Sequence, residues 1–238
     1  MVIDSSALTE QVVDDAIESG FNGAGQRCSA LRILAIQDEV YDKTIKMLSG
    51  ATAKIKIGFP NLISTDIGPV IDLEAKDKIN NHINSFKSKV LAQAPLDAKY
   101  KGHFVQPTII EIKDLKEINK EIFGPVIHVY RYYADKIEEL VEDINSMNYG
   151  LTLGIQSRIE NTINYIFDNA SIGNVYINRN IVGAVVGVQP FGGRGLSGTG
   201  PKAGGPNYLL KFVNEKSYSY DTTAAGGNAT LFMLSENE

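Results

Sequence analysis

Short apolar runs and longer amphipathic segments alternate along this 238-residue chain, and that alternation limits the fold more than any other feature. Apolar runs typical of strands are LRILAIQ (31–37), VLAQA (90–94), HFVQPTIIEI (103–112), VIHVYRYY (126–133), LTLGIQS (151–157) and GNVYINR (173–179). Helical periodicity is found before and between them, at 8–19, 39–54, 73–88, 136–147 and 160–170. Parallel strands need crossovers of about this length, so the sequence predicts an α/β fold with a mostly parallel sheet flanked by helices.

The charge and cysteine content narrow the classes of partner and compartment. A formal net charge of −5 and a pI near 5.3 leave no basic surface to attract nucleic-acid phosphates or acidic lipid, so we expect no nucleic-acid partner. No apolar run is long enough to span a membrane, and MVIDSSALTEQ has neither the basic start nor the apolar core of a signal peptide. A single cysteine forms no intramolecular disulfide and no four-cysteine metal cluster, so we expect a reducing, cytoplasmic compartment and no metal site.

The stretch FNGAGQRCSALR contains that cysteine, Cys28, among glycines that let the backbone approach a ligand closely. Arg27 is placed to favour the thiolate, which is the reactive form, and Ser29 adds a neighbouring hydroxyl. A lone cysteine is nevertheless more often a packed residue than a nucleophile. A hydrolase of the cysteine–histidine type is a further alternative, which the sequence does not support because no histidine lies nearby.

Three segments carry a resemblance to a known family. Phe21 to Cys28 resembles the cysteine signature of the aldehyde dehydrogenase superfamily, EIFGPV (121–126) its glutamate–phenylalanine motif, and QPFGGRGLSGTGPKAGGPNYL (189–209) its C-terminal glycine-rich block. With GNVYINRNIVGAVVGVQPFGG (173–193) and DTTAAGGNA (221–229), the chain is most similar to L-glutamate γ-semialdehyde dehydrogenase. More narrowly, it resembles the dehydrogenase region of bifunctional proline utilization A proteins, over nearly its whole length.

The resemblance implies a reaction and a cofactor, NAD. In that family a cysteine thiolate, here Cys28, attacks an aldehyde, hydride passes to NAD, and water hydrolyses the thioester. The backbone N–H of Cys28 would be one of two donors to the developing oxyanion. Glu121 would hydrogen-bond a ribose of NAD and Phe123 would pack near the nicotinamide. The alternative for Glu121 is a solvated charge in a charged segment.

The resemblance also implies where a small-molecule aldehyde would bind. Ser29, Gly183 and Ala184 would hold the α-amino acid end of the substrate, the last two through backbone groups. Phe191 would form an apolar wall beside the methylene chain. For Arg27, an electrostatic role and a purely structural role are equally compatible with its position.

Parts of the family pattern have no counterpart in this sequence. MVIDSS resembles the family sequence just after a glycine pair, so the general-base glutamate and most of the NAD-binding domain are expected to be absent. We therefore expect 1–206 to be a catalytic, cysteine-bearing α/β domain that is inactive alone and binds NAD weakly or not at all. A separately encoded N-terminal half would complete it. The alternative is a non-catalytic remnant that acts as an interaction module.

Residues 207–238 are expected to form a flap and tail. YLLKFVNEKSYSY (208–220) has extended character and resembles the family's oligomerisation flap, which pairs with the sheet of another subunit. A homo-oligomer is therefore expected. An edge strand within the same chain is the alternative.

Overall fold

The structure, a computed structural model, describes residues 1–118, 120–185, 187–221 and 233. Helices alternate with strands along most of the described chain. In chain order these elements are β1 (Val2–Ile3), α1 (Thr9–Phe21), β2 (Ile33–Gln37), α2 (Asp38–Thr52), α3 (Leu73–Ser85), β3 (Val90–Gln93), β4 (Thr108–Ile112), β5 (Val126–Tyr132), α4 (Ile137–Ser146), β6 (Tyr149–Gly150), β7 (Thr152–Gln156), α5 (Glu160–Asn169), β8 (Asn174–Ile177) and β9 (Arg194–Gly195).

Within the described residues the larger sheet has seven strands, in the order β3-β4-β5-β2-β1-β7-β8. All neighbouring pairs are parallel except β3 and β4, which are antiparallel. The short strands β6 and β9 form a separate antiparallel pair. The prediction of an α/β fold with a mostly parallel sheet flanked by helices is confirmed.

The central strands are buried on both faces, as parallel strands covered by helices are. Leu34 and Ile36 of β2, Ile127 of β5 and Ile155 of β7 are almost completely inaccessible to solvent. β1 is only two residues long, yet it lies between β2 and β7 at the centre of the sheet. Its register pairs Val2 with both Ala35 and Ile155.

Three local predictions differ from the structure. HFVQPTIIEI becomes a strand only from Thr108, because the preceding Pro107 has no N–H to donate to a ladder. Asp38 directly precedes the helix predicted at 39–54 and has the side chain of a typical N-cap, but it lies in the first turn of α2, where its charge complements the helix dipole. The extended character predicted from residue 208 is wrong over Tyr208–Phe212, which form a 3-10 turn, and the described residues that follow form no strand.

The oligomerisation flap and the division into 1–206 and 207–238 stay predictions. Of DTTAAGGNA, only Asp221 belongs to the described residues. None of the helices in the described part of the chain has the length and apolarity to cross a membrane.

Candidate functional site

Cys28 is carried by the loop between α1 and β2, residues 22–32, which we call the cysteine loop. α1 ends at Phe21, and Gly23, Ala24 and Gly25 then adopt left-handed φ angles of 64°, 55° and 64°. A side chain at Gly25 would place its Cβ 2.2 Å from the carbonyl oxygen of Gly124. This close approach of two backbones explains why glycine is needed at Gly25, and it joins the cysteine signature to EIFGPV.

The two motifs meet because they enter neighbouring strands from the same side. The cysteine loop leads into β2 and EIFGPV leads into β5, and these strands are parallel neighbours in the sheet. Parallel strands begin at the same edge of a sheet, so the segments that precede them lie side by side. The site is therefore built at the edge where β2 and β5 begin.

Cys28 itself is exposed, at a turn closed by the hydrogen bond from the Ala30 N–H to the Arg27 carbonyl. Its backbone N–H makes no hydrogen bond within the described residues, as an oxyanion donor requires before a substrate binds. The neighbouring Ser29 is buried. The exposure of Cys28 contradicts its interpretation as a packed core residue.

Arg32, the last residue of the cysteine loop, ties the loop together through its guanidinium group. Nη1 donates to the carbonyl oxygens of Gly25, at 2.7 Å, and Gly124, at 3.2 Å. Nη2 donates to the carbonyl oxygen of Arg27 at 3.1 Å. One side chain thus links the backbone before Cys28 to the backbone of EIFGPV.

Arg32 also contacts both side chains that the resemblance assigns to NAD binding. Its Nε donates to Glu121 Oε1 at 3.2 Å, and its guanidinium carbon lies 4.7 Å from the centre of the Phe123 ring. Burial lowers the pKa of Arg32, while the negative charges of Glu121 and of an ionised Cys28 act in the opposite direction. Arg32 therefore interacts with the Glu121 carboxylate and lines the same cavity as Cys28.

Arg27, the cation expected beside the nucleophile, is exposed and lies against Gly23. No hydrogen bond or ion pair of its side chain is found among the described residues. Arg32 was not among the site residues predicted from the sequence. The position of Arg32 in the sequence could have indicated its role. A charged residue directly before a buried apolar strand must find polar partners there.

A cavity of about 180 Å³ opens beside Cys28. Arg32 and Glu121 also line it, and its interior is largely apolar, with Ile33, Leu140, Leu153 and Ile181 among its walls. The structure therefore brings a thiol, a cation, a carboxylate and an apolar recess into one place. This combination suits a small substrate with an apolar portion.

The three remaining residues of the predicted site, Gly183, Ala184 and Phe191, do not line this cavity. They belong to residues 183–221, which we call the glycine-rich segment. Gly183 is exposed with φ of 80°, and nothing lies within 4 Å of the place where a Cβ would be. Phe191 is half-buried. The segment starts near the site, because Ile181, two residues earlier, lines the cavity.

Two histidines that are far apart in the sequence form a pair next to the backbone of Arg32. The Nε2 atoms of His82, on α3, and His128, on β5, lie 2.8 Å apart. His128 Nδ1 lies 3.1 Å from the Arg32 carbonyl oxygen, which can only accept, so Nδ1 carries the proton and His82 donates to Nε2. Burial, and then the neighbouring His82, lower the pKa of His128 to about 4.

The described residues contain no cluster of three or more groups able to hold a metal ion.

Comparisons with known proteins identify the family to which the chain belongs. The family model described as "Aldehyde dehydrogenase family" matches residues 1–218. The bifunctional protein PutA of Escherichia coli strain K12 is 54% identical over 227 residues, which are 92% of this chain and 17% of that protein. The 1-pyrroline-5-carboxylate dehydrogenase of Geobacillus sp. strain WCH70 is 36% identical, over 92% of this chain and 43% of its own length.

Solved structures show the same architecture. A crystal structure of bifunctional proline utilization A matches 94% of this chain and 23% of its own, with a TM-score of 0.87 and 48% identity. A 1-pyrroline-5-carboxylate dehydrogenase from Thermus with bound NAD matches 89% of this chain and 41% of its own, with a TM-score of 0.80 and 31% identity. The chain thus spans less than half the length of each of these relatives.

Proposed function

Because the chain belongs to the aldehyde dehydrogenase family, we propose that it is the cysteine-bearing part of an NAD-dependent L-glutamate γ-semialdehyde dehydrogenase of proline catabolism. The observation that supports this most is the exposed Cys28, which shares a cavity with Arg32 and Glu121. The choice of substrate is supported by the names of the relatives, which are PutA proteins and 1-pyrroline-5-carboxylate dehydrogenases.

Cys28 is the nucleophile in this proposal. Its thiolate adds to the aldehyde carbon, forming a carbon–sulfur bond while the carbonyl electrons move to oxygen. The free backbone N–H of Cys28 donates a hydrogen bond to that oxygen as it becomes negative. Water later cleaves the thioester and releases the acid, with the thiolate as leaving group.

Glu121 and Phe123 fit the contacts proposed for NAD. Glu121 is partly exposed, and its Oε2 has no hydrogen-bond partner among the described residues, so it is available to accept from a ribose hydroxyl. Phe123 is 46% exposed and offers an aromatic face to a planar ring. When bound, NAD would accept hydride from the carbon attached to sulfur. This chain's part is to hold that carbon on Cys28.

The substrate end of the site is proposed to involve Ser29, Gly183, Ala184 and Phe191. Gly183 and Ala184 would offer backbone groups to the α-amino and carboxylate groups, and Phe191 an apolar wall. Their position outside the cavity beside Cys28 means that this part of the site would form when the glycine-rich segment meets the substrate or another part of the enzyme.

We infer that other parts of a larger enzyme, on the same chain or on a separate one, carry the general base and most of the NAD contacts. The chain spans 17% of the PutA relative and 43% of the dehydrogenase relative. No step above depends on a general base from the described residues. Alone, the chain is expected to bind NAD weakly or not at all.

The decisive test is NADH formation from glutamate semialdehyde by the purified chain, alone and mixed with the N-terminal half of a related enzyme. Activity only in the mixture, absent in Cys28→Ala, would support the proposal. Turnover by the chain alone would contradict the assignment of the general base to another part. Inactivity of both, with a folded chain, would favour a non-catalytic interaction module.

The glycine-rich segment supports a second proposal, self-association. Leu209 and Phe212 are 74% and 70% exposed, and Leu210, Val213, Tyr218 and Tyr220 are exposed with them. Apolar side chains gathered in one exposed segment are typical of interfaces. We propose a second copy of the chain as the partner. Sedimentation over a hundredfold range of concentration would test this, because a strict monomer throughout would contradict it.

A further inference from the structure

We propose that Arg32, rather than Arg27, is the residue that positions Cys28 and sets the electrostatic field at its sulfur. This inference rests on the proposed role of Cys28 as the nucleophile. Arg32 would act through Cys28 and the loop that carries it, and is therefore a positioning residue.

The Arg32 guanidinium group donates hydrogen bonds to both the cysteine loop and EIFGPV. Its three nitrogens donate to three backbone carbonyls and one carboxylate, at 2.7 to 3.2 Å, and its side chain is only 15% exposed. Two of those carbonyls, of Gly25 and Arg27, lie in the loop just before Cys28. A planar fork with five donors on three nitrogens reaches acceptors in fixed, separate directions, whereas the three donors of a lysine ammonium group share one nitrogen.

The backbone of Arg32 is itself anchored to β5. Its carbonyl oxygen accepts from the His128 backbone N–H at 2.8 Å and from His128 Nδ1 at 3.1 Å. His128 is buried in β5, and its Nε2 accepts a hydrogen bond from His82. The guanidinium group therefore extends from a point attached to the core of the sheet, which keeps its charge in one place.

Arg27 and Arg32 differ in how far their side chains are exposed to solvent. Both arginines are near Cys28 in sequence, but the Arg27 side chain is exposed and makes no polar contact with the described residues, so solvent screens its charge. Arg32 is largely removed from water, and only its Nε meets the Glu121 carboxylate, while Nη1 and Nη2 donate to neutral carbonyls. Its attraction for a thiolate or another anion at the mouth of the cavity is therefore the stronger of the two.

The test uses the fact that Cys28 is the only thiol in the chain. Iodoacetate and iodoacetamide both alkylate a thiolate with loss of iodide, but only iodoacetate is an anion. The ratio of their rate constants cancels the ionisation and the exposure of the thiol, and it reports the local field. A residue with a merely structural role would not change this ratio.

We expect Arg32→Gln to lower the iodoacetate-to-iodoacetamide ratio about threefold, as for a partly screened charge pair. Arg32→Lys should keep most of the ratio, because it keeps the charge, while both rates change together as the loop loses its hydrogen bonds. Arg27→Gln, the matched control, should leave the ratio unchanged. A drop in Arg27→Gln without one in Arg32→Gln would overturn the proposal.

A second measurement tests the proposal even if Arg32→Gln does not fold. The ratio should fall with added salt in the wild-type chain, and Arg27→Gln should retain that full salt dependence. Loss of the salt dependence in Arg27→Gln would assign the field to Arg27 and contradict the proposal. Alkylation needs neither NAD nor aldehyde, so the role of Arg32 and the dehydrogenase function can fail independently.

Discussion

The cysteine loop and the glycine-rich segment differ in how far the rest of the chain supports them. In the cysteine loop, Arg32 joins Cys28 to EIFGPV, and His128 joins Arg32 to the sheet. In the described part of the glycine-rich segment, regular structure is limited to β9 and a 3-10 turn, and many of the apolar side chains are exposed. The loop proposed to carry the nucleophile is thus held by contacts within this chain, whereas the segment proposed to hold the substrate leaves many apolar side chains in solvent.

The physical reason for this difference lies in the sheet. The cysteine loop and EIFGPV lead into β2 and β5, which are buried on both faces, so their starting points are set by the core. The glycine-rich segment follows β8, the last strand of the larger sheet, and runs over the surface. Substitutions in and near the two regions would test this difference.

The largest expected effect is on activity. Cys28→Ala should lower NADH formation by the completed enzyme at least about a thousandfold, because the nucleophile is lost. The free energy of unfolding should change by no more than about 0.5 kcal/mol, since Cys28 is exposed. Steady-state kinetics and urea unfolding would measure the two effects. Retained activity would remove Cys28 from the mechanism.

A pair of glycine substitutions compares the backbones of the two regions. Gly25→Ala should cost about 4 kcal/mol of unfolding free energy, because its Cβ would meet the Gly124 carbonyl at a left-handed φ. Gly183→Ala has the same kind of φ but open space around it, so about 1 kcal/mol is expected. Urea unfolding checks both, and equal losses would contradict the proposed difference in packing.

A pair of leucine substitutions compares the side chains of the two regions. Leu34→Ala, in the buried β2, should lower the unfolding free energy by about 3 kcal/mol, through lost burial and the cavity left behind. Leu209→Ala should change it by less than about 0.5 kcal/mol in a monomer. If Leu209 lies in an interface, its substitution should instead weaken self-association in sedimentation experiments.

The smallest expected effect is a dependence of stability on pH. The pKa of His128 is lowered to about 4 in the folded chain, so the unfolded chain binds the proton more tightly and stability falls as the pH falls. The free energy of unfolding should therefore fall by about 2 kcal/mol between about pH 7 and about pH 5. Urea unfolding of His128→Gln should show a correspondingly weaker dependence. His103→Gln, which changes the histidine outside the pair, is the control and should retain the wild-type dependence.

Local sequence patterns specify the alternation of strands and helices, the mostly parallel sheet and the glycines that shape the cysteine loop. Periodicity and turn chemistry are local, because they depend on which face of a short segment is buried and on which residues tolerate positive φ. The central place of the two-residue β1 in the sheet depends instead on long-range packing, as does the fact that Arg32, not Arg27, holds the loop. Arg32 meets Glu121 and Gly124 from 89 and 92 residues away, and His82 meets His128 from 46. Local pattern shows that such a charge needs a partner, but the order of strands in the sheet selects which partner it meets.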